Sequence, residues 1–180
     1  LRVNNSRALR LEPTGSGGPN LIGGAAINFV GAGVVGATVG GGGAVNYFGN
    51  ALSNAVSGDF STIAGGDANT IQAGASGSVI GGGGVNQIQL GSYGTTIAGG
   101  GFNTISPVAP GATIGGGGVN TIGLFGVYAT ISGGTANQIL VSGTNGVIAG
   151  GAFNTISNLS YSGTIGGREA NSIQSGAYVS

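Results

Sequence analysis

The chain has 180 residues, of which 44 are glycine and only eight are charged, four basic and four acidic, so the net charge is zero. Nucleic acids and anionic membranes are excluded as partners, because phosphate binding requires several basic side chains on one face. Cysteine, histidine, methionine and tryptophan are absent, which excludes disulfides, thiol chemistry and ordinary zinc or haem sites, and we expect no cofactor or metal.

Residues 1–13, LRVNNSRALRLEP, alternate apolar and charged side chains. This alternation predicts a strand, or a hairpin that turns around Asn4, Asn5 and Ser6. Three of the four arginines lie in this segment, and a charged first element is suited to cover the open end of a stack and to block edge pairing. The glycine-rich residues 14–20 predict a linker. We therefore predict a cap and linker over residues 1–20 and a repeat domain over residues 21–180.

An eleven-residue phrase, ATIGGGGVNTI at residues 112–122, recurs along almost all of the remaining sequence. The first Ile or Val of each copy serves as a marker, and the nine markers are Ile22, Val39, Ile63, Ile80, Ile97, Ile114, Ile131, Ile148 and Ile165. Consecutive markers are seventeen positions apart in every case but one, the step from Val39 to Ile63, which is twenty-four. A fixed period of this size predicts a solenoid in which each repeat forms one coil.

Side chains alternate between two directions within each repeat, and the marker is predicted to face inward. A second apolar position follows eight residues after the marker, one place late in the second repeat, and its members are Val30, Phe48, Ile71, Ile88, Ile105, Ile122, Ile139, Ile156 and Ile173. Two short strands per coil predict an all-β fold, a flattened parallel β-solenoid of about nine 17-residue coils. The uncharged residues 21–45 contain nine glycines and keep the repeat register, so we predict coils there and not a membrane helix.

Glycine stands two residues after the marker in all nine repeats. This predicts a tight corner, with a positive φ or a backbone contact that leaves no room for a Cβ. The residue between the marker and this glycine is always Gly, Ala or Ser, and its parity points it outward. Such a column indicates either close packing of another chain or simple turn flexibility, and the sequence leaves both open.

Asparagine stands six residues after the marker in eight repeats, at Asn28, Asn69, Asn86, Asn103, Asn120, Asn137, Asn154 and Asn171, and Asn46 stands one place late in the second repeat. A stacked column of asparagines links coils through its amides and caps the backbone at a bend. We therefore interpret the column as structural and not as a ligand site.

The other six residues of each coil form a variable arc, and four aromatic residues on these arcs are the candidate contact residues: Tyr93, Phe125, Tyr128 and Tyr161. Variable loops on a rigid scaffold are where binding usually resides. The rings are interpreted either as an adhesive surface, for a glycan or a host-surface receptor, or as packing sites for a neighbouring chain. The second coil is longer than the others by seven residues, and residues 49–60 are predicted to bulge from the stack.

The phrase ATIGGGGVNTI, spaced along a glycine-rich chain, resembles the head repeats of trimeric, YadA-like autotransporter adhesins. It is more similar still to repeats in bacterial and phage fibre proteins that carry an endosialidase-type chaperone domain, where a leader like residues 1–13 precedes the repeats. The resemblance implies a left-handed β-roll, a homotrimer, and an extracellular location on a bacterial surface or a virion fibre. The coil is longer here than is usual in those heads. No stalk or anchor is present, and the sequence starts at Leu1, so we expect a processed product or an excised segment.

Catalysis is not expected from this sequence. The carboxylates are Glu12, Asp59, Asp67 and Glu169, of which only the last two share a repeat position, six coils apart. No histidine or lysine is present to activate a serine or threonine. The favoured function is a structural or adhesive module of an extracellular fibre.

Two alternative functions stay open. One is a self-assembling filament, in which the last repeat accepts the N-terminal strand of the next subunit, head to tail. The other is an ice-binding solenoid, suggested by the threonines that precede many markers, although Val79 and Val147 interrupt the rank. Asn4 and Asn158 lie in N-x-S contexts and are weak candidates for glycosylation.

Overall fold

The computed structural model of the protein describes residues 1–177, where all regular structure is β. The strands are β1 (Arg2–Val3), β2 (Ser6–Arg7), β3 (Leu9–Glu12), β4 (Asn20–Gly23), β5 (Phe29–Val30), β6 (Thr38–Val39), β7 (Ala44–Tyr47), β8 (Asn50–Leu52), β9 (Ala55–Val56), β10 (Thr62–Ile63), β11 (Thr70–Ile71), β12 (Val79–Ile80), β13 (Gln87–Ile88), β14 (Thr96–Ile97), β15 (Thr104–Ile105), β16 (Thr113–Ile114), β17 (Thr121–Ile122), β18 (Thr130–Ile131), β19 (Gln138–Ile139), β20 (Val147–Ile148), β21 (Thr155–Ile156), β22 (Thr164–Ile165) and β23 (Ser172–Ile173). Most are two residues long, because each coil turns a corner after every few residues.

Two sheets run the length of the molecule on either side of a thin interior. The first sheet contains the marker strands β4, β6 and the even-numbered strands from β10 to β22, with β3 antiparallel at its N-terminal edge. The second contains β5, β9 and the odd-numbered strands from β11 to β23. Equivalent residues of neighbouring coils pair in parallel register, such as Ile114 with Ile131. The predicted β-solenoid of nine coils is confirmed, with neighbouring coils about 4.8 Å apart.

The interior consists of two columns of aliphatic side chains, one from each sheet. The markers from Val39 to Ile148 are fully buried, and so are the second-column residues from Val56 to Ile156. Small residues fill the remaining space, among them Ala109 and Ala112, which are also fully buried. With so few large side chains per coil, each coil depends for its stability on the neighbours that cover it.

The glycines that follow each marker fall into two kinds. Gly65 and Gly99 belong to the invariant position, yet nothing lies within 4 Å of where a Cβ would stand. The predicted lack of space is therefore wrong for them, although Gly116, at the same position, has a φ of +136° that favours glycine. Crowding occurs one residue later, where a Cβ on Gly100 (φ +82°) would overlap the carbonyl oxygen of Gly117 in the next coil.

The corner that joins the two sheets is built from non-glycine residues whose backbone adopts the left-handed conformation. Ala68, Val85, Phe102, Val119, Ala136, Phe153 and Ala170 all have φ between 53° and 60°. This conformation turns the amide backward, so the N–H of Val119 donates to the carbonyl of Gly101 in the preceding coil at 3.0 Å. A strand residue such as Thr113 instead donates forward, to Ala129 at 2.9 Å. Neighbouring coils are therefore bonded in both directions.

The second coil carries a hairpin that projects from the stack. Strands β7 and β8 are antiparallel, and Tyr47 lies opposite Asn50. The turn between them consists of Phe48 (φ +48°) and Gly49 (φ +84°), a pair of positive values typical of a type I′ turn. The prediction that residues 49–60 bulge out is wrong, since the projecting segment is 44–52 and the chain rejoins the second sheet at β9.

The assignment of Asn46 and Phe48 to the stacked columns is also wrong, because both lie exposed on the hairpin. Asn54 and Val56, both fully buried, take their places. Asn54 bonds to Asn28 across 26 residues of chain and to Asn69 across 15 residues, where the regular coils have 17. The hairpin therefore adds nine residues and the next arc lacks two, a net gain of seven.

The N-terminal residues form the expected hairpin, with β1 and β2 joined through Asn4 (φ +47°) and Asn5 (φ +62°). Strand β3 then pairs with β4 and covers the edge of the first sheet. Strand β3 therefore protects one of the two sheet edges at this end of the rod.

The edge of the second sheet is covered by a side chain. The guanidinium of Arg7 donates to the carbonyl oxygens of Ala26 and Asn28, the latter at 3.1 Å. In the second coil, the equivalent carbonyl of Asn54 accepts the amide of Phe29. Arg7 thus supplies the donor that a preceding coil would have supplied.

Candidate interaction surfaces

The asparagine column is fully buried from Asn28 to Asn154, and the hydrogen bonds of its central members are complete. The Nδ2 of Asn120 donates to the Oδ1 of Asn103 at 3.1 Å and to the carbonyls of Gly116 and Gly134, both at 2.9 Å. Its Oδ1 accepts the backbone and side-chain amides of Asn137 at 3.0 and 3.2 Å. No polar atom of the Asn120 side chain is left for a ligand, which agrees with a structural role.

The outer side of the first sheet is a flat face formed by two columns of residues. The first column precedes the markers and contains Thr38, Thr62, Val79, Thr96, Thr113, Thr130, Val147 and Thr164. The second follows the markers and is exposed at Gly40, Ala64, Gly81, Ala98, Gly115, Ser132, Ala149 and Gly166. Neither column holds a charged residue, and the threonine hydroxyls of the first make no hydrogen bond within residues 1–177. The flat face therefore offers small, uncharged groups at a regular spacing.

The four aromatic residues predicted as contact residues all lie exposed on the arcs. Phe125 and Tyr128 share one coil, Tyr93 lies two coils before them, and Tyr161 lies two coils after. They form a line with steps of about 10 Å along the rod and not a single cluster. The ring of Tyr128 lies over Gly111 in the preceding coil, where a Cβ would overlap it.

A further apolar surface runs along the corner between the sheets. Phe102, Val119 and Phe153, which we term the corner ridge, are 62%, 54% and 58% exposed. Sequence reasoning missed this surface, although a signal was present: the fifth residue after the marker is Ala, Val or Phe in every repeat from residue 68 to residue 170. The corner ridge and the threonine column lie on opposite sides of the second column of the flat face, which holds Gly, Ala and Ser.

The projecting hairpin forms a cleft with the adjoining coils. This hairpin cleft has a volume of about 290 Å³ and is lined by Gly42, Gly43, Ala44, Tyr47, Leu52, Gly66 and Asp67. Phe48 is 88% exposed at the tip, and its ring meets that of Tyr47 edge-on at 4.7 Å between centroids. The carboxylate of Asp67 makes no hydrogen bond or ion pair within residues 1–177.

A second cavity, of about 820 Å³, lies between the N-terminal segment and the first arc and is bordered by Arg10, Glu12, Val30 and Val34. Arg10 and Glu12 form an ion pair at 2.7 Å. The two charges at the cavity thus neutralise each other.

The two candidate glycosylation sites differ in accessibility. Asn4 lies in an exposed turn, and Ser6 of the same N-x-S segment is also exposed. Asn158 is exposed, but its Oδ1 accepts the amide of Val141 at 3.1 Å, and Ser160 is buried and donates to Gln174 at 2.8 Å. Only Asn4 therefore presents its whole segment to solvent.

Within residues 1–177, no three acidic side chains lie close enough together to hold a metal ion. Asp67 and Glu169 occupy equivalent positions six coils apart, or roughly 29 Å along the rod, too far to act as a pair. Nor do residues 1–177 contain a helix with the length and apolar character of a membrane span.

Comparison with known proteins gives no assignment. No family model matches the chain, and no curated protein matches it significantly. The function proposed below therefore rests on the surfaces of the chain and on the resemblance of its repeats described above.

Proposed function

We propose that the chain is a non-catalytic structural and adhesive module of an extracellular fibre, on a bacterial surface or a virion, and that it acts as a homotrimer. Nine stacked coils form a stiff rod about 40 Å long. Such a rod holds the variable arcs at fixed distances from one another. A rod with a regular display of outward side chains suits a shaft or an adhesive head.

The flat face is the observation that carries the proposal of self-association. Its second column holds only Gly, Ala or Ser in eight exposed positions, so the backbone of another copy can approach closely. The face carries no charge that would have to be desolvated. The interior of a single rod is thin, and burial of a second face between copies adds apolar area that one copy lacks.

The molar mass of the folded protein tests this proposal. Light scattering coupled to size exclusion should give three times the chain mass of 16.9 kDa. We expect Ala98→Glu, which places a charge in the flat face, to give the monomer mass. Ala73→Glu is the matched control, because Ala73 is exposed on an arc away from this face. A monomeric native protein, or a trimer in both variants, would contradict the proposal.

Adhesion is assigned to the line of aromatic residues on the arcs, with a glycan or a surface protein as receptor. Exposed aromatic rings supply large contact area at low entropic cost. The double variant Phe125→Ser/Tyr128→Ser should lose binding to a glycan array or to cells that the native protein binds. Its oligomer mass and its far-UV circular dichroism spectrum should stay unchanged. Loss of the trimer in this variant would show instead that the rings pack on a neighbouring chain.

A second candidate function, ice binding, is favoured by one observation. The hydroxyls of Thr96, Thr113 and Thr130 are consecutive, in register, and free of partners within residues 1–177. A flat, uncharged array of threonines can order water at a regular spacing. Nanolitre osmometry tests ice binding directly. A protein that shows no thermal hysteresis and does not shape ice crystals does not bind ice.

A further inference from the structure

We propose that the hairpin cleft, lined by Tyr47, Leu52 and Asp67, binds a lysine or arginine side chain presented by a protein partner. The site lies apart from the arcs and the flat face, so the inference goes beyond the function proposed above. It holds for a monomer and for a trimer alike.

The first argument is charge. The sequence contains no Lys or Arg between Glu12 and Arg168, so no neighbouring coil can supply a counter-ion for Asp67. The other acid in this stretch, Asp59, is already engaged, since its Oδ1 accepts the amide of Val35 at 2.9 Å. Asp67 is half-buried in the cleft wall and has no partner within residues 1–177. A carboxylate in this position gains a charge-assisted hydrogen bond when a cation enters.

The second argument is the aromatic wall. The ring of Tyr47 lines the cleft, and the edge-on contact with Phe48 orients that ring. The face of an aromatic ring attracts ammonium and guanidinium groups. Leu52 and Ala44 line the same cleft and can pack against the aliphatic stem of a long basic side chain.

The third argument is the floor of the cleft, which favours a cation over a sugar as the ligand. The amide of Gly43 donates to the carbonyl of Gly66 at 2.8 Å, and that carbonyl also accepts the Nδ2 of Asn54 at 2.9 Å. These backbone groups are therefore occupied, and a sugar with several hydroxyls would find few partners besides Asp67. A basic side chain requires only the carboxylate and the ring. The volume of about 290 Å³ suits one side chain.

The repeat supplies a matched control within the molecule. Glu169 occupies the same repeat position as Asp67 and is exposed, but the coil that precedes Glu169 carries no hairpin, whereas the coil that precedes Asp67 does. If a carboxylate at this position were sufficient, both residues would bind the same cations. If the hairpin is required, only Asp67 will bind.

The test is a two-dimensional ¹H–¹⁵N NMR titration of the whole chain with N-acetyl-lysine N-methylamide and, separately, with methyl glucoside. The variants are Asp67→Asn, Tyr47→Ala and Glu169→Gln. Asp67→Asn should fold normally, because the Asp67 side chain makes no hydrogen bond within residues 1–177 and the position holds Gly, Thr or Ala in seven of the other eight coils. Tyr47 is an exposed hairpin residue, so its truncation should spare the stack.

We expect the lysine probe to shift the amide signals of Gly43, Gly66 and Asp67 in a saturable way, with weaker binding at high salt. Asp67→Asn should weaken the binding roughly tenfold and Tyr47→Ala roughly threefold, while Glu169→Gln should leave it unchanged. Absence of saturable shifts, or equal shifts in Asp67→Asn, would overturn the proposal. Shifts produced by methyl glucoside and not by the lysine probe would identify a neutral-sugar site instead.

Discussion

The side-chain amide of Asn69 donates to the side-chain oxygen of Asn54 at 3.2 Å across 15 residues of chain, whereas Asn86 and Asn69 are bonded across 17. Asn54 therefore belongs to the stacked column in spite of its irregular spacing. The residue that stands nearest to the regular spacing, Asn46, lies on the hairpin, and within residues 1–177 its side chain accepts only the amide of Gly49.

Replacement of Asn54 by Ala should destabilise the protein far more than replacement of Asn46 by Ala. Asn54→Ala removes donors to Gly41 and Gly66 and the acceptor of both Asn69 amides, in a side chain that is fully buried, so we expect a loss of about 3 kcal/mol or more. Asn46→Ala should cost less than about 1 kcal/mol, because the site is exposed. Chemical denaturation measures both values. Equal losses would contradict the assignment of the column.

The two kinds of glycine after the marker should respond differently to a methyl group. Gly100→Ala forces a Cβ against the carbonyl oxygen of Gly117 at a φ of +82°, and should cost about 3 kcal/mol or more. Gly99→Ala meets open space and should cost about 1 kcal/mol or less. Thermal unfolding of the pair tests the difference, which is notable because glycine is invariant at the position of Gly99. A larger loss in Gly99→Ala would show that the invariant position is the crowded one after all.

Arg7→Ala should loosen the first coil without affecting distant coils. The guanidinium satisfies the carbonyl of Asn28, which no preceding coil covers, and an unsatisfied carbonyl at a sheet edge favours fraying. Hydrogen exchange followed by mass spectrometry should show faster exchange over residues 20–40 and unchanged exchange over residues 110–140. Arg2→Ala is the control, because within residues 1–177 the Arg2 side chain donates only to Asn5, in its own hairpin. Equal exchange in both variants would show that Arg7 does not act as a cap.

Val119→Gly should stabilise the protein, although it removes a side chain. Val119 has a φ of +60° and is 54% exposed, so its strain in the left-handed region, about 1–2 kcal/mol, exceeds the small burial that it provides. We expect a net gain of at most about 0.5 kcal/mol, because the extra unfolded-state entropy of glycine, about 0.5 to 1 kcal/mol, offsets much of the relieved strain. Val119→Ala keeps a Cβ and separates the effect of strain from that of packing. A melting temperature lower for glycine than for alanine would show that strain at the corner is negligible.

The period of the sequence is sufficient to predict the stacked fold, because the equivalents of Ile114 and Ile122 return in each coil and alternation fixes their inward direction. The hairpin was misplaced because the sequence shows only the net gain of seven residues. The nine residues that the hairpin adds and the two that the next arc lacks cannot be told apart from this net value. The left-handed conformation of the corner residues was missed for another reason. Local rules assign the left-handed region to Gly and Asn, whereas Val119 and Phe102 adopt it because the stack requires a backward-pointing amide there.

The candidate surfaces were predicted less completely than the fold. Tyr128 could be recognised as exposed because it falls in a variable arc. The cleft between Tyr47 and Asp67 could not, since the hairpin that brings these two residues to one cleft breaks the repeat. The trimer, the adhesive role and the cation site stay predictions for the experiments described above.

Because the two short strands of each regular coil pair in the same register with the coils on either side, this pairing does not depend on which repeat is the neighbour. Loss or duplication of one repeat would shorten or lengthen the rod by about 4.8 Å and leave the strand register of both sheets as before. Unequal recombination within the gene would therefore change the length of the rod in uniform steps of one coil, without any change to its interior.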